Sequence, residues 1–437
     1  MVIKSITVGN YKNIAETKLD LSRIVALVSV NNYGKSNFLE AINFGLDFIS
    51  ESVKARNNMM RWRRGIPLSP SLAGKDFVFS VEFDDPSLGE YRFVHYGYRF
   101  SWYNDKNTGA EIVDETIEMR ENEHVRYTAY LKRDKEQYRC GKSKTSFRKL
   151  ALTKDKLAID TLAAIDNLEI ANVIKKIQSL SYRMCSSLDL GGSFLPSPIE
   201  FDFGINSPLP FDDSDIPRAL SALDKERPDK FKLFIETIYD LFPEFNHVEL
   251  QSYMLKGKIQ PQVKAIMVSS SEKEGGDIPY HLREEIYRLI IDSKYLNQPI
   301  SMEYMSTGTK RIFWLVANAI FAGCYGTNLL GVDEIETSIH PKMIRNLLEA
   351  LTDLLGEASM IVSSHSPYMI QYLKPESIYV GVPNGEGIAV FKRIRDSKIK
   401  SVLKTARDLE ISIGEYLFEL MSGDEDSAVI LSAYLED

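Results

Sequence analysis

The sequence predicts an α/β fold with a mixed sheet, in which a divided parallel core carries an antiparallel β layer and a mainly helical insertion domain. The first observation is residues 24–30 (IVALVSV), an almost continuous apolar run that is typical of a buried parallel strand. The second is the aromatic and β-branched composition of residues 77–133. The third is the return of alternating strand and helix patterns after Pro299.

The N-terminal region is predicted as strand, turn and helix, followed by the β layer. Residues 2–8 also have a strand pattern, and the helix after the turn is indicated by apolar residues at steps of three and four, namely Leu39, Ile42, Leu46 and Ile49. The β layer consists of four segments separated by Gly, Asn and Asp: FVFSVEF, YRFVHYGYRFSWY, EIVDETIEMR and HVRYTAYLKR. We expect these segments to pair in antiparallel fashion.

The middle of the chain is predicted as a helical insertion. One helical stripe is formed by Ile170, Val173, Ile174, Ile177 and Leu180, and residues 189–215 are rich in Gly, Pro, Ser and Asp, as in loops. After the insertion, Pro341 and Gly356 bracket another helix, and residues 360–364 have the pattern of a buried strand. The predicted divisions are 1–145, the insertion 146–297, 298–395, and a C-terminal extension 396–437.

Composition limits the class of protein and its surroundings. The 437 residues are 44% hydrophobic and carry a net charge of −8, which predicts a large core and disfavours non-specific coating of nucleic acid. Three widely spaced cysteines, Cys140, Cys185 and Cys324, offer no zinc or disulfide pattern, so a reducing cytoplasm is expected. No signal peptide or membrane span is expected, and residues 314–332 are predicted as helix, turn and buried strand.

The turn after residues 24–28 has the pattern of a phosphate-binding loop. Residues 29–36 read SVNNYGKS, where the consensus is GxxxxGK(S/T), so the final Gly34, Lys35 and Ser36 are intact and Ser29 replaces the first glycine. In such loops the lysine neutralises phosphate charge and the hydroxyl binds Mg²⁺. Asn enters the left-handed backbone region readily, so Asn32 is compatible with a tight loop. The residues predicted to bind nucleotide here are Asn31, Asn32, Tyr33, Gly34, Lys35, Ser36 and Asn37.

Two acids follow a second apolar strand far downstream. Residues 329–334 read LLGVDE, which places Asp333 and Glu334 at the end of that strand. The arrangement predicts that Asp333 holds Mg²⁺ together with Ser36, and that Glu334 polarises the attacking water in catalysis.

Two further motifs flank the acids. Residues 306–310 read STGTK before an apolar helix, which resembles the signature motif of ABC-type ATPases. That resemblance implies that Ser306, Gly308 and Thr309, at a helix N-terminus, face the γ-phosphate held by the opposite subunit. Ordinary capping of the helix is the alternative reading. His365 follows the strand at residues 360–364, and a lone histidine there is more often structural. The order of the motifs instead favours a switch histidine that contacts the γ-phosphate and takes part in catalysis.

Together these motifs resemble the ABC-type heads of the SMC/RecF/OLD ATPases. The resemblance rests on ITVGNYKNI, SVNNYGKSNFLEAI, YMSTGTKRIF, LLGVDEIETSIHP and MIVSSHSPYMI. It implies a P-loop NTPase fold of the ABC/SMC head type and the cofactors ATP and Mg²⁺, with ATP held between two copies in a homodimer or higher oligomer. It also places Lys12 and Asn13 near the α-phosphate or base, and residues 338–340 across the dimer. The Q-loop glutamine is not placed, although Gln137 is a candidate.

Three functions are compatible with this resemblance. In the first, ATP closes a dimer that controls a separate effector, a nuclease from the same operon, as in antiphage defence systems of the PARIS, Septu or AbiL type. The second is a RecF-like DNA-repair ATPase that binds duplex DNA directly, and the third is an ATP-bound scaffold with negligible turnover. A basic segment is interpreted as a solvated face, with DNA contact as the alternative; it contains Lys135, Arg139, Lys142, Lys144, Arg148, Lys149, Lys154 and Lys156. The acids of GDEDSAV near Gly423 are interpreted as a solvated helix start.

Overall fold

A computed structural model describes most of the chain. It covers residues 1–61, 66–104, 108–134, 137–140, 148–149, 152–164, 170–185, 190–201, 215–255, 280–382 and 387–436. The strands are β1 (Val2–Gly9), β2 (Thr17–Asp20), β3 (Ile24–Val28), β4 (Phe77–Asp84), β5 (Phe93–Ser101), β6 (Glu111–Arg120), β7 (Thr128–Asp134), β8 (Gln137–Cys140), β9 (Arg148–Lys149), β10 (Tyr182–Cys185), β11 (Ile199–Phe201), β12 (Phe245–Met254), β13 (Tyr280–Leu282), β14 (Glu285–Ser293), β15 (Ile300–Ser301), β16 (Leu329–Val332), β17 (Ser359–Ser364), β18 (Ile378–Gly381) and β19 (Phe391–Arg393).

The described helices are distributed along the whole chain. They are α1 (Lys35–Ser50), α2 (Val53–Arg61), α3 (Ala158–Leu162), α4 (Ala171–Gln178), α5 (Leu190–Phe194), α6 (Ile216–Glu226), α7 (Pro228–Leu241), α8 (Thr307–Tyr325), α9 (Pro341–Leu354), α10 (Pro367–Ile370), α11 (Asp396–Asp408), α12 (Ile413–Ser422) and α13 (Glu425–Tyr434). Short 3₁₀ turns lie at Pro86–Tyr91, Met302–Tyr304 and Pro375–Ser377. No helix in the described ranges is long and apolar enough to cross a bilayer.

The chain folds into two compact units. The first unit consists of Met1–Ser186, Gly326–Glu336 and Leu355–Asp437, and the second of Ser187–Tyr325 and Thr337–Leu354. These bounds differ from the predicted divisions 1–145, 146–297, 298–395 and 396–437. One reason is β10, which falls inside the predicted insertion but pairs with β16 in the sheet of the first unit.

The first unit contains two sheets. The six-stranded sheet has the order β10-β16-β17-β3-β18-β19, and its strands are parallel except for β19. All five residues of β3 are buried, as expected for a central parallel strand. The eight-stranded sheet, in the order β2-β1-β4-β5-β6-β7-β8-β9, is antiparallel throughout. The predicted parallel core and antiparallel layer are both present.

Helix α1 packs against the antiparallel sheet through an aromatic cluster. The ring of Phe48 stacks on that of Phe100 at a centroid distance of 4.9 Å, and Phe44 meets Phe77 at 5.1 Å. A Cβ atom on Gly45 would lie 2.0 Å from the ring of Phe79, so glycine allows this close approach. Because α1 starts at Lys35, within the phosphate-binding pattern, this packing fixes the direction in which that turn faces.

The second unit combines helices with short antiparallel strands. Helix α8 is buried along most of its length, ends before Gly326 at φ 75°, and is followed by strand β16 in the first unit. The predicted helix, turn and strand over residues 314–332 are therefore confirmed. Within the predicted helical insertion, however, β12 pairs with β14, and β11 with β13. The region is thus mixed, because strand pairs lie between its helices.

Candidate functional site

The phosphate-binding pattern forms a tight turn between β3 and α1. Asn32 adopts a left-handed conformation with φ 59°, and Gly34 has φ 123°. Asn tolerates the first conformation, whereas the second favours glycine. A Cβ on Gly34 would also lie 3.0 Å from Asn13 Oδ1 and 3.1 Å from Ala389 Cβ. The turn therefore accepts Asn32 as expected and requires Gly34.

Ser29 is accommodated by a glycine on the neighbouring strand. Its side chain is fully buried where the consensus has glycine, and β18 runs parallel to β3 beside it. A Cβ added to Gly381, the last residue of β18, would lie 2.8 Å from Ser29 Cβ and 2.5 Å from Tyr33 Cδ1. The space that the consensus loop gains from its first glycine is thus supplied here by Gly381.

Replacing Gly381 should therefore disturb the turn. We expect Gly381→Ala to weaken ATP binding about tenfold or more, because overpacking of this kind costs about 1–3 kcal/mol and displaces Ser29 or Tyr33. Titration with a fluorescent ATP analogue measures the effect. The control is Gly74→Ala, because a Cβ at that position has no neighbour within 4 Å. Parent-like affinity in Gly381→Ala would contradict this account of Ser29.

Lys35 lies at the base of the turn and is almost completely buried. Its ammonium donates to the carbonyl of Ser29 at 3.0 Å and to that of Val30 at 3.2 Å. Burial lowers the pKa of the Lys35 amine, and the acids Asp333, Glu334 and Glu336 oppose that shift. The loop thus holds one cation next to the end of β16, where three carboxylates influence it.

The two predicted metal ligands are in contact. The Ser36 hydroxyl donates to Asp333 Oδ2 at 2.7 Å. The other oxygen of Asp333 accepts a hydrogen bond from Ser363, whose hydroxyl also accepts the Glu334 N–H at 2.8 Å. A hydroxyl beside one carboxylate suits Mg²⁺, which binds through few protein oxygens and completes its shell with phosphates and water. The residues present therefore fit a Mg²⁺ ion that arrives with a nucleotide.

Glu334 occupies a strained position at the strand end. Its backbone is left-handed, with φ 47°, and its side chain is exposed. Such conformations cost free energy for residues other than glycine and are concentrated at functional sites. The Ser363 hydroxyl holds the Glu334 amide in this conformation. The carboxylate is accordingly presented to solvent beside the metal ligands.

His365 follows β17 and lies beside an acid that the sequence analysis did not select. Glu336 Oε1 accepts the His365 N–H at 2.9 Å and lies 3.5 Å from His365 Nδ1. Ser363 was also missed. The available signal was the polar pair of serines that ends an otherwise apolar strand directly before the histidine, since polar residues in a buried strand need partners.

Asn13 lies outside the turn and forms hydrogen bonds with the turn and with helix α1. Its amide donates to the carbonyl of Tyr33 at 3.0 Å and to that of Gly387 at 3.2 Å, and its oxygen accepts from Asn37 at 2.8 Å. Lys12 forms an ion pair with Glu40 on α1. These contacts place both predicted residues at the turn, with their side chains bound to the protein.

Two other predicted loop residues have different environments. The Tyr33 side chain is buried, its hydroxyl donates to the carbonyl of Val382, and its ring lies 5.7 Å from that of Phe391. Burial raises the pKa of Tyr33, and the Val390 backbone opposes that shift. Only the backbone of Tyr33 therefore remains for phosphate, whereas Asn31 is exposed on the turn.

The predicted signature residues belong to the second unit. The Ser306 hydroxyl accepts the Thr309 N–H at 3.2 Å and so caps α8. A Cβ on Gly308 would lie 2.4 Å from the carbonyl oxygen of Ser338, which itself has φ 64°. Ser306 is exposed. The capping alternative is thus observed, and the hydroxyl is still accessible.

Three further predictions concern regions away from the turn. Of the eight basic residues between Lys135 and Lys156, three lie outside the described residues, namely Lys135, Lys142 and Lys144. Gln137 begins β8, in the antiparallel sheet. The acids after Gly423 behave as expected, because the Asp424 carboxylate caps α13 by accepting the Ser427 N–H at 3.1 Å.

Three solved structures with a similar fold are distant from the chain in sequence. The SMC head bound to the C-winged helix domain of ScpA is 14% identical and has a TM-score of 0.49, with coverage of 92% of this chain and 100% of the other. The SMC head domain from Thermotoga maritima is 10% identical with a TM-score of 0.43, covering 90% and 100%. A Pyrococcus furiosus Smc head with an extended coiled coil, bound to the C-terminal domain of ScpA, is 12% identical with a TM-score of 0.46, covering 93% and 99%.

The family of the chain is established by a match to a family model. No curated protein matches the chain. The AAA ATPase domain family matches residues 1–370, which include the turn at Lys35, the acids after β16 and His365. The match agrees with the predicted P-loop fold of mixed α/β content and with its strand, turn and helix around Lys35. The chain therefore belongs to the AAA ATPase domain family.

Proposed function

We propose that the chain binds ATP and Mg²⁺ between two copies of itself, hydrolyses the ATP, and thereby controls a separate effector, a nuclease, in antiphage defence. The contact between Ser36 and Asp333 is the observation that carries the nucleotide part of this proposal. It joins the phosphate-binding turn to the acids at the end of β16 within one compact unit. A hydroxyl and a carboxylate in this relation are the Mg²⁺ ligands of P-loop ATPases.

Each residue then has a separate task in hydrolysis. When bound, Mg²⁺ would be held by Ser36 and Asp333 and would neutralise phosphate charge. Lys35 leaves the carbonyls of Ser29 and Val30 to bind phosphate oxygens, because an ammonium interacts more strongly with phosphate than with neutral carbonyls. The exposed Glu334 carboxylate orients the attacking water and accepts its proton. His365 binds the γ-phosphate.

The geometry of the turn removes one reason to expect an inert scaffold. Ser29 and Asn32 depart from the consensus, and such departures suggested negligible hydrolysis. Gly381 nevertheless leaves room for Ser29, and Asn32 adopts the left-handed conformation although it is not a glycine. The loop therefore keeps the backbone geometry that a phosphate needs.

The dimeric part of the proposal is supported by Ser306 and its neighbours. Ser306 is exposed at the N-terminus of α8, a helix of 19 residues whose amide groups favour an anion. Gly308 packs on Ser338, so the signature and the loop after the acids form one surface of the second unit. We assign this surface to the γ-phosphate bound by the partner copy.

A nuclease on another chain fits the role of the acids near Gly423, because Asp424 serves as a helix cap and not as a nuclease metal ligand. Asp424 is engaged as a helix cap, as the sequence analysis expected, and its pKa is lowered by the hydrogen bonds from Ser427. Co-purification from the native operon identifies the effector. Stimulation of ATP turnover by duplex DNA in the purified chain alone would instead select the RecF-like function.

A mixing experiment tests the arrangement of the site across two copies. We expect Ser306→Arg to bind ATP but not hydrolyse it, and Lys35→Ala to be inactive. A mixed dimer contains one site with both parts intact and one with both damaged. Mixing the two inactive proteins should therefore restore a substantial part of the activity, measured as phosphate release.

The controls separate this outcome from general damage. Ser432→Arg, an exposed substitution on α13, should keep the activity of the parent. Each inactive variant is also incubated alone at the total protein concentration of the mixture. Full activity of a Ser306→Arg protein that remains monomeric with ATP would show that Ser306 is only a helix cap.

A further inference from the structure

We propose that Glu336 is a positioning residue that holds His365 where it recognises the γ-phosphate. The inference rests on the ATP site proposed above and adds to it the residue that gives the site its preference for ATP over ADP. The Glu336 carboxylate touches neither of the predicted metal ligands through any described hydrogen bond, and its partners all lie around the histidine.

One carboxylate oxygen of Glu336 makes the contacts with Ser364 and His365. Oε1 accepts the Ser364 hydroxyl at 2.9 Å and the His365 N–H at 2.9 Å, and it lies 3.5 Å from His365 Nδ1. These contacts hold the backbone of the histidine and place one ring nitrogen beside the carboxylate. The His365 side chain is 44% exposed, and Glu336 is the ion-pair partner beside its ring. We therefore expect the orientation of the ring to depend on Glu336.

The second oxygen of Glu336 indicates that the side chain is retained for function. Only 8% of the Glu336 side chain is exposed, and Oε2 is buried without a hydrogen-bond partner. A buried acceptor without a donor is unfavourable, and unsatisfied groups of this kind in native proteins call for an explanation such as a functional role. Stability alone accounts for Oε1, which satisfies two donors, but it does not account for the buried Oε2.

The two serines at the end of β17 contact different groups, one the predicted metal ligand Asp333 and the other Glu336 beside the histidine. Successive side chains of a strand point to opposite faces. Ser363 accordingly binds Asp333 and the Glu334 amide, whereas Ser364 binds Glu336. Both serines are fully buried. Removal of Glu336 should thus affect recognition of the γ-phosphate while the metal ligands keep their contacts.

Nucleotide preference tests the inference without relying on turnover. The dissociation constants of fluorescent ATP and ADP analogues are measured with Mg²⁺ for the full chain and for its variants. We expect Glu336→Ala to lower the ratio of ADP to ATP dissociation constants about tenfold, because one hydrogen bond to a charged phosphate is lost. Affinity for ADP should stay within about twofold, since the turn at Lys35 is unchanged. The rate of hydrolysis at saturating ATP should fall as well.

A conservative variant separates positioning from charge. In Glu336→Gln the amide oxygen still accepts from Ser364 and His365, so we expect the preference for ATP and most of the hydrolysis to be retained. Glu349→Ala removes an exposed acid from α9 and should match the parent in both assays. Thermal unfolding of each variant, followed by circular dichroism, reports on folding.

Each of the following outcomes contradicts either the role of Glu336 or the proposed ATP site. The inference is overturned if Glu336→Ala keeps the parent's preference for ATP, or if Glu336→Gln loses it as completely as Glu336→Ala does. A parent protein that binds both nucleotides equally well also overturns the inference and leaves the ATP site in place. A parent protein that binds neither nucleotide refutes the proposed function itself.

Discussion

Lys35→Ala is expected to reduce ATP binding by about two orders of magnitude or more, since truncating one member of a buried charged pair typically costs 2–5 kcal/mol. Lys35 is the cation of the turn and is almost completely buried. Its present partners are two carbonyl groups, which a phosphate replaces with negative charge. Alanine leaves the phosphates without this cation in a site that also contains Asp333, Glu334 and Glu336.

Isothermal titration calorimetry with ATP and Mg²⁺ measures this loss. The matched control is Lys18→Ala, which removes an exposed lysine that pairs with Asp20 on β2. That variant should bind as the parent does, because exposed ion pairs contribute little. Micromolar binding retained by Lys35→Ala would refute the assignment of the turn as a phosphate-binding loop.

Glu334→Gln is expected to bind ATP and Mg²⁺ normally and to hydrolyse ATP about 10²–10⁴ times more slowly, which is the usual contribution of a general base. The substitution removes the proton acceptor but leaves Ser36 and Asp333 in place. The Glu334 backbone keeps its hydrogen bond to Ser363, so the turn should not change. The ATP-bound dimer should therefore accumulate.

Two measurements made on the same protein test this expectation. Phosphate release gives the turnover, and light scattering during gel filtration with ATP gives the mass of the complex. Glu349→Gln, at an exposed site on α9, serves as the control. Parent-like turnover by Glu334→Gln would mean that another group accepts the proton, and Glu336 would then be the first acid to examine.

The parts of the site predicted from sequence are those encoded in short, contiguous segments. The turn from Ser29 to Ser36 was predicted because a buried strand, a loop with Gly34 and Lys35, and an amphipathic helix follow each other directly. The antiparallel layer was predictable for the same reason, since each strand has its own β-branched and aromatic pattern. The proximity of Ser36 and Asp333 followed from motif order.

The parts that were missed depend on residues far apart in the chain. Gly381 makes room for Ser29 across two paired strands, and no local pattern around either residue indicates this. The Tyr33 side chain is buried in the core, where its ring contacts Phe391 and its hydroxyl donates to the carbonyl of Val382. Glu336 lies only two residues after Glu334, but its partners lie beyond β17.

The division of the chain was also difficult to predict. Strand β10 has four residues and joins the parallel sheet only through β16, which lies far along the sequence. A short strand without a clear alternation has no signal of its own. The strands β12 and β14 are separated by residues 255–284, so the sequence between them lacks the two-residue turn pattern that identifies local hairpins.

The position of β3 in its sheet has a consequence for how the protein is made. Its two neighbours, β17 and β18, are translated only after most of the chain has left the ribosome. At about 5–20 residues per second, the apolar strand IVALV waits on the order of tens of seconds for both partners. During that time the nascent chain exposes a segment prone to aggregation and has no nucleotide site. Translation that stops before β18 therefore leaves one edge of this apolar strand unpaired, and such a product is expected to require chaperones or degradation.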